Sequence, residues 1–180
     1  MTRSDLTDRI MSVSAIVAAI AAVLVAAYEA RINREYQRIS VWPRIQQSNS
    51  FAGADTYQRI VSNVGVGPAL IRSVQVNVDG VARRNWSDVI HALIGKPAPG
   101  HIYSALHAGY VVLPNKDMTV LKIPPGEDAQ KFWEQTQTPR LSIRICYSSL
   151  FDECWVSDSL ADQPVPVAEC RSDPAKEFQQ

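Results

Sequence analysis

The sequence predicts a mainly β fold: an antiparallel β-sandwich with one or two short helices, preceded by a single N-terminal transmembrane helix. Three observations carry this. Residues 10–28 form a nineteen-residue run without a charge. Beyond residue 40 the texture changes to short alternating runs broken by Gly, Pro, Asn and Asp. These runs are not interleaved with long helical patterns, which disfavours a parallel α/β fold.

The uncharged run, IMSVSAIVAAIAAVLVAAY, spans about 28 Å as a helix, close to the hydrocarbon thickness of a bilayer. Two rivals are weighed against a retained anchor. Val25-Ala26-Ala27 resembles a signal-peptide cleavage site, but signal cores run about 7–15 residues. A buried core helix is disfavoured because the run has no polar face for water. The expected organisation is an N-terminal tail over 1–9, the membrane helix over 10–28, a juxtamembrane helix or linker over 29–40, a β-sandwich domain over 41–158 and a polar tail over 159–180. Ser14, Ala18, Ala22 and Ala26 recur every four residues along one side of the helix. Such a small-residue stripe lets helix backbones approach closely in lipid, so it is a candidate surface for self-association or for a partner helix.

Past the anchor, Ile32, Tyr36 and Ile39 keep helical spacing, and Trp42-Pro43 should end the helix after about Arg38. Residues 56–63 read as a strand. Asn63-Val64-Gly65-Val66-Gly67-Pro68 reads as a turn, its glycines supplying backbone angles that other residues resist. Residues 69–78 alternate cleanly, with Val74, Val76 and Val78 on one face, and Asp79-Gly80 closes that strand in a tight turn. Asn85 and Asp88 mark a helix start and Gly95 its end, with Trp86, Ile90 and Leu93 turned inward. Residues 108–113 and 118–123 are expected to pair as a hairpin across Pro114-Asn115. A short helix over 127–137, a strand over 141–147 and a return strand over 153–157 complete the domain. The last twenty residues, rich in proline and charge, read as mostly disordered.

Eighteen basic and eighteen acidic residues cancel, so no global field draws in nucleic acid. Gly65 and Gly67 do not open a dinucleotide fingerprint, because position 70 is Leu and no helix follows. His91, His101 and His107 lack metal-site spacing. There is no nucleophile elbow, no Walker loop and no Cys–His pair. Asn85-Trp86-Ser87 is formally a glycosylation sequon, explained more simply as the helix cap. No catalytic residue, cofactor or metal is expected.

Orientation evidence conflicts. Arg31, Arg34, Arg38 and Arg44 follow the anchor, and the positive-inside rule alone would place the domain in the cytoplasm. Cys146, Cys154 and Cys170 argue the other way, since disulfides are rare in a reducing cytosol. An extracytoplasmic, periplasmic domain is the preferred reading. Three pairings leave one thiol over. Cys146 with Cys154 would bridge the last hairpin, while Cys154 with Cys170, slightly preferred, would pin the tail. Three reduced thiols would accompany a cytoplasmic domain.

The segment Asn63-Val-Gly-Val-Gly-Pro-Ala69, leading into a valine-alternating strand that closes at Asp79-Gly80, resembles one edge of immunoglobulin-like, CARDB-type modules. The stretch Cys146-Tyr-Ser-Ser-Leu-Phe-Asp-Glu-Cys-Trp155 resembles the end of small uncharacterised bacterial single-pass membrane proteins. The resemblance implies an immunoglobulin-like sandwich on a membrane anchor and supplies no catalytic residues. The expected function is a membrane-anchored, non-catalytic interaction module. The alternatives are an accessory subunit or enzyme acting on envelope or lipid substrates, and a cytoplasmic-facing sensor or effector.

Overall fold

The structure is a computed structural model that describes residues 3–51, 56–97, 100–101 and 103–179. The chain divides into two compact units, Met1–Ser40 and Val41–Gln180. The first is one helix, α1 (Arg3–Ser40), which runs through the uncharged segment and two residues past the predicted end. Its segment Arg9–Ser40 is long and apolar enough to cross a membrane or to serve as a signal sequence. Pro43 then removes a backbone donor and holds its neighbour out of helical geometry.

The second unit contains nine strands and two helices among the described residues: β1 (Ile45–Phe51), β2 (Tyr57–Asn63), β3 (Ala69–Val78), β4 (Val81–Arg83), α2 (Trp86–Ile94), β5 (Val111–Val112), β6 (Lys116–Ile123), α3 (Glu127–Thr136), β7 (Leu141–Ser148), β8 (Cys154–Asp158) and β9 (Val165–Val167). They form two antiparallel sheets. One has the order β1-β2-β6, the other β4-β3-β7-β8-β9 with β5 also on β3. The β-rich antiparallel expectation is therefore met.

A single apolar cluster joins both sheets and both helices. Val74, Val76 and Val78 of β3 stand opposite Ile145, Ile143 and Leu141 of β7, and Tyr57 and Val61 of β2 belong to the same cluster. Tyr57 packs edge-on against Phe132 of α3 with ring centroids 4.8 Å apart. The α2 boundaries follow the predicted signals. Asn85 Oδ1 accepts from the Asp88 N–H at 2.8 Å, and Gly95, at φ +74°, donates to the His91 carbonyl at 2.9 Å. Asp79 and Gly80, at φ +52° and +77°, form the two-residue turn that sets Val78 opposite Val81.

Three expectations fail. The predicted hairpin over 108–123 does not form, because β5 pairs with β3 in one sheet and β6 with β2 in the other. The turn at Leu113–Asn115 hands the chain between sheets, anchored by the Asn115 N–H on the Asn63 carbonyl at 2.8 Å. β1 forms where the sequence pattern predicts no strand. The tail over 159–180 is not a disordered appendage of a 41–158 domain. It supplies β9, then crosses the outer face of the second sheet as a strap. Along that path the Glu177 carboxylate accepts from the Ser73 hydroxyl and, at 3.1 Å, from the Val74 N–H. The Phe178 N–H donates to the Val74 carbonyl at 2.9 Å, and the Phe178 ring is buried against Trp86 with centroids 5.1 Å apart.

Candidate functional site

The strand registers bring the turns after β2, β5 and β7 to the end of the domain where the chain enters β1. Asn63, only 1% exposed, ties this end together. Its Oδ1 accepts from the Arg44 N–H at 3.1 Å and the Gly65 N–H at 3.0 Å. Its Nδ2 donates to the carbonyls of Gly67 at 2.8 Å and Val112 at 2.9 Å. Two accepted and two donated bonds saturate the side chain of a buried amide.

Gly65, Gly67 and Pro68 come directly after it, and the physical reason differs from the expected one. Neither glycine has a positive φ. A methyl group at Gly67 would overlap the Val41 carbonyl and lie 2.6 Å from Val41 Cα. One at Gly65 would lie 2.5 Å from the Trp42 oxygen and 2.7 Å from the Pro43 carbonyl carbon. The glycines permit backbone contact, sealed by Val64 N–H to Arg44 C=O and Val66 N–H to Trp42 C=O, both 2.9 Å. With the backbone clamped, the side chains at this end point outward. Val66 is 63% exposed, and Val64, Trp42, Leu113, Leu150 and Phe151 are also solvent-exposed. Arg44 lies over the Trp42 ring, 5.9 Å from its centroid, a cation–π arrangement.

A second polar cluster sits inside the domain. Along β2, Tyr57, Arg59, Val61 and Asn63 face inward, so Arg59 occupies a core position and is only 6% exposed. Its Nη1 donates to Asn49 Oδ1 at 2.6 Å and its Nη2 to Gln47 Oε1 at 2.8 Å, while Nε is buried without an acceptor. Burial holds this guanidinium below its usual range, offset in part by Tyr57. The Tyr57 hydroxyl shares Asn49 Oδ1 at 2.9 Å, and desolvation pushes its pKa up to about 12. Gln47 also bridges the sheets, donating to the Ile143 carbonyl at 3.1 Å and to Ser157 O and Oγ at 3.2 and 3.1 Å. The alternation in β2 is the sequence signal that could have found Arg59.

The disulfide joins Cys146 and Cys170, with Cα atoms 5.6 Å apart, and Cys154 is a free, half-buried thiol. This corrects the preference for Cys154–Cys170. Cys146 stands opposite Val156 rather than Cys154, which excludes a directly opposed hairpin bridge, and the strap brings Cys170 down over β7. The Cys154 thiol donates instead to the Asp152 carbonyl at 3.5 Å.

Ser14, Ala18, Ala22 and Ala26 are all exposed along α1, and the Ser14 hydroxyl is used on the Met11 carbonyl at 2.9 Å. His107 contacts the Ala108 carbonyl at 2.7 Å and stacks edge-on with Tyr110, whereas His101 lies beside Tyr103 and His91 closes α2. Among the described residues no three His, Cys, Asp or Glu side chains gather into a metal-binding group. Comparison of the chain with protein-family models, curated proteins and solved structures finds no match.

Proposed function

We infer that this is a membrane-anchored, extracytoplasmic interaction module of immunoglobulin-like sandwich type, without catalysis. The observation that carries this reading is the Cys146–Cys170 bond, which staples a C-terminal strap across a sheet in a chain that also has one helix long and apolar enough to cross a membrane. A structural disulfide persists in an oxidising compartment, and a retained helix of that length anchors the domain behind it. The two antiparallel sheets and the clamped turn at Asn63–Pro68 support the immunoglobulin-like comparison. The exposed apolar side chains of three converging turns support binding over chemistry, since large exposed apolar patches mark interaction sites.

Labelling intact cells with a membrane-impermeant maleimide tests this. An outside domain labels once, at Cys154, before treatment with an impermeant phosphine reductant, and three times after it. Labelling that requires lysis would place the domain in the cytoplasm, and no membrane association of the mature chain would make the helix a cleaved signal.

A further inference from the structure

The open strand edges of the domain are not equivalent. β6 carries Lys116, Asp117 and Lys122 and a register break against β2. β9 is three residues long and contains Pro166; β4 is three residues and ends in Arg83, and β5 is two residues. Charge, proline, bulges and shortness are the devices by which proteins keep an edge from pairing with another chain. β1 has none of them. It runs seven residues, IQQSNSF, without a charge or a proline, in unbroken register with β2.

Its open side can be assigned from the ladder. The Val64 N–H bonds the Arg44 carbonyl, so alternation turns the backbone groups of Ile45, Gln47, Asn49 and Phe51 away from β2. Among the described residues, Gln47, Asn49 and Phe51 have no backbone partner on that side. Beside the first half of this edge lies a cavity of about 470 Å³, between Gln46 and Gln47 and the Ser159–Pro164 turn.

The second, independent observation is Arg59, paired in register with Asn49. Its guanidinium is buried with two neutral amide oxygens as acceptors and one N–H unmatched, and no carboxylate among the described residues reaches it. A buried cation without an anion is costly, and a carboxylate is its natural complement. At the other end of the edge the cavity is lined by Arg44 as well as by Asp158 and Asp162, and Asp158 is paired with Arg144 at 3.5 Å, so the preference for an acidic side chain along this edge rests on Arg59.

We propose that β1 is a docking edge for an extended segment of another protein, which adds a strand beside Gln47–Phe51 and turns an Asp or Glu toward Arg59. Backbone bonds along β1 give affinity, and the carboxylate fixes register. This deepens the interaction-module reading and rests on it only for the partner being a protein. The test uses purified full-length chain in detergent, so a wrong membrane orientation leaves its outcome unchanged.

Fluorescein-labelled peptides of alternating threonine and valine, with Glu, Gln or Lys at the centre, are titrated by anisotropy. The Glu peptide binds about tenfold more tightly than the Lys peptide, as one charge-assisted contact requires. Methylating alternate peptide amides abolishes binding, and amide exchange at Gln47 and Asn49 slows when the Glu peptide is bound. Arg59→Met removes the Glu-over-Gln preference while the Gln peptide still binds. Absence of binding by the Glu peptide, equal binding of the Glu and Lys peptides, or indifference to amide methylation overturns the proposal. Should Arg59→Met fail to fold, the Glu–Lys comparison on the native chain decides alone.

Discussion

Gly67→Ala puts the clamp at the chain's entry to the test. The added methyl would sit 2.6 Å from Val41 Cα and overlap the Val41 carbonyl, whereas carbon atoms rest at about 3.5–4.0 Å. Both neighbours are backbone, so no rotamer change relieves the clash, and the turn must lift by about 1 Å. Three bonds then stretch: Val66 N–H to Trp42 O, Gly67 N–H to Trp42 O, and Asn63 Nδ2 to Gly67 O. At about 1 kcal/mol each, with a further 1–3 kcal/mol for the buried Asn63 amide left short of an acceptor, the loss is roughly 4–6 kcal/mol. That is a large part of the 5–15 kcal/mol typical of a domain, and the melting point should drop by about 10–15 °C. Gly80→Ala is the control. At φ +77° an alanine is strained by about 1–2 kcal/mol, yet its methyl would meet nothing within 4 Å. Urea unfolding of the full-length chain, monitored by tryptophan fluorescence, measures both. A Gly67→Ala loss below 1 kcal/mol, or one no larger than that of Gly80→Ala, would refute the close-packing account.

Other expected outcomes concern the strap and the buried polar groups. Cys170→Ser opens a loop with a sequence separation of 24 and should cost about 3.4 kcal/mol by chain entropy, while Cys154→Ser stays within about 0.5 kcal/mol; equal losses in urea unfolding would contradict the assigned pairing. Phe178→Ala removes a buried ring from Trp86 and should cost about 3–5 kcal/mol; a disordered tail would show no change. Tyr57 and Tyr147 both have pKa values raised from 10.0 to about 12, chiefly by burial. Their neutral forms stabilise the fold fully below pH 10, and that contribution declines as pH rises from 10 to 12. Each two-unit shift corresponds to about 2.7 kcal/mol, so stability measured from pH 8 to 11.5 should fall steeply above 10, and a flat profile would count against their burial.

How much the sequence reveals depends on how local the cause is. The α2 caps, the Asp79-Gly80 turn and the alternation of β3 are each set by residues within a few positions, and each is legible. Gly65 and Gly67 also stand out in the sequence, but for backbone freedom. Their actual cause is contact with Val41–Pro43, a neighbour more than twenty positions earlier that only the fold brings close. β1 escapes the pattern because its inward positions between Ile45 and Phe51 are Gln47 and Asn49, which accept from Arg59 instead of forming an apolar stripe. Arg59 itself is legible in principle, because it shares the parity of Tyr57, Val61 and Asn63. The tail reads as disordered because its polar composition hides one anchoring ring, Phe178, and one carboxylate, Glu177, whose partners lie on β3 and α2. The disulfide pairing is hidden for the same reason, since only the strap's path places Cys170 over Cys146.

The central claim is an anchored domain whose C-terminal strap is covalently fixed in an oxidising compartment. It is tested most directly by alkylating free thiols as cells are harvested and mapping non-reduced peptides from the membrane fraction by mass spectrometry. The predicted result is a cross-linked pair of peptides containing Cys146 and Cys170, with Cys154 alkylated. Recovery of all three cysteines as alkylated thiols would contradict it.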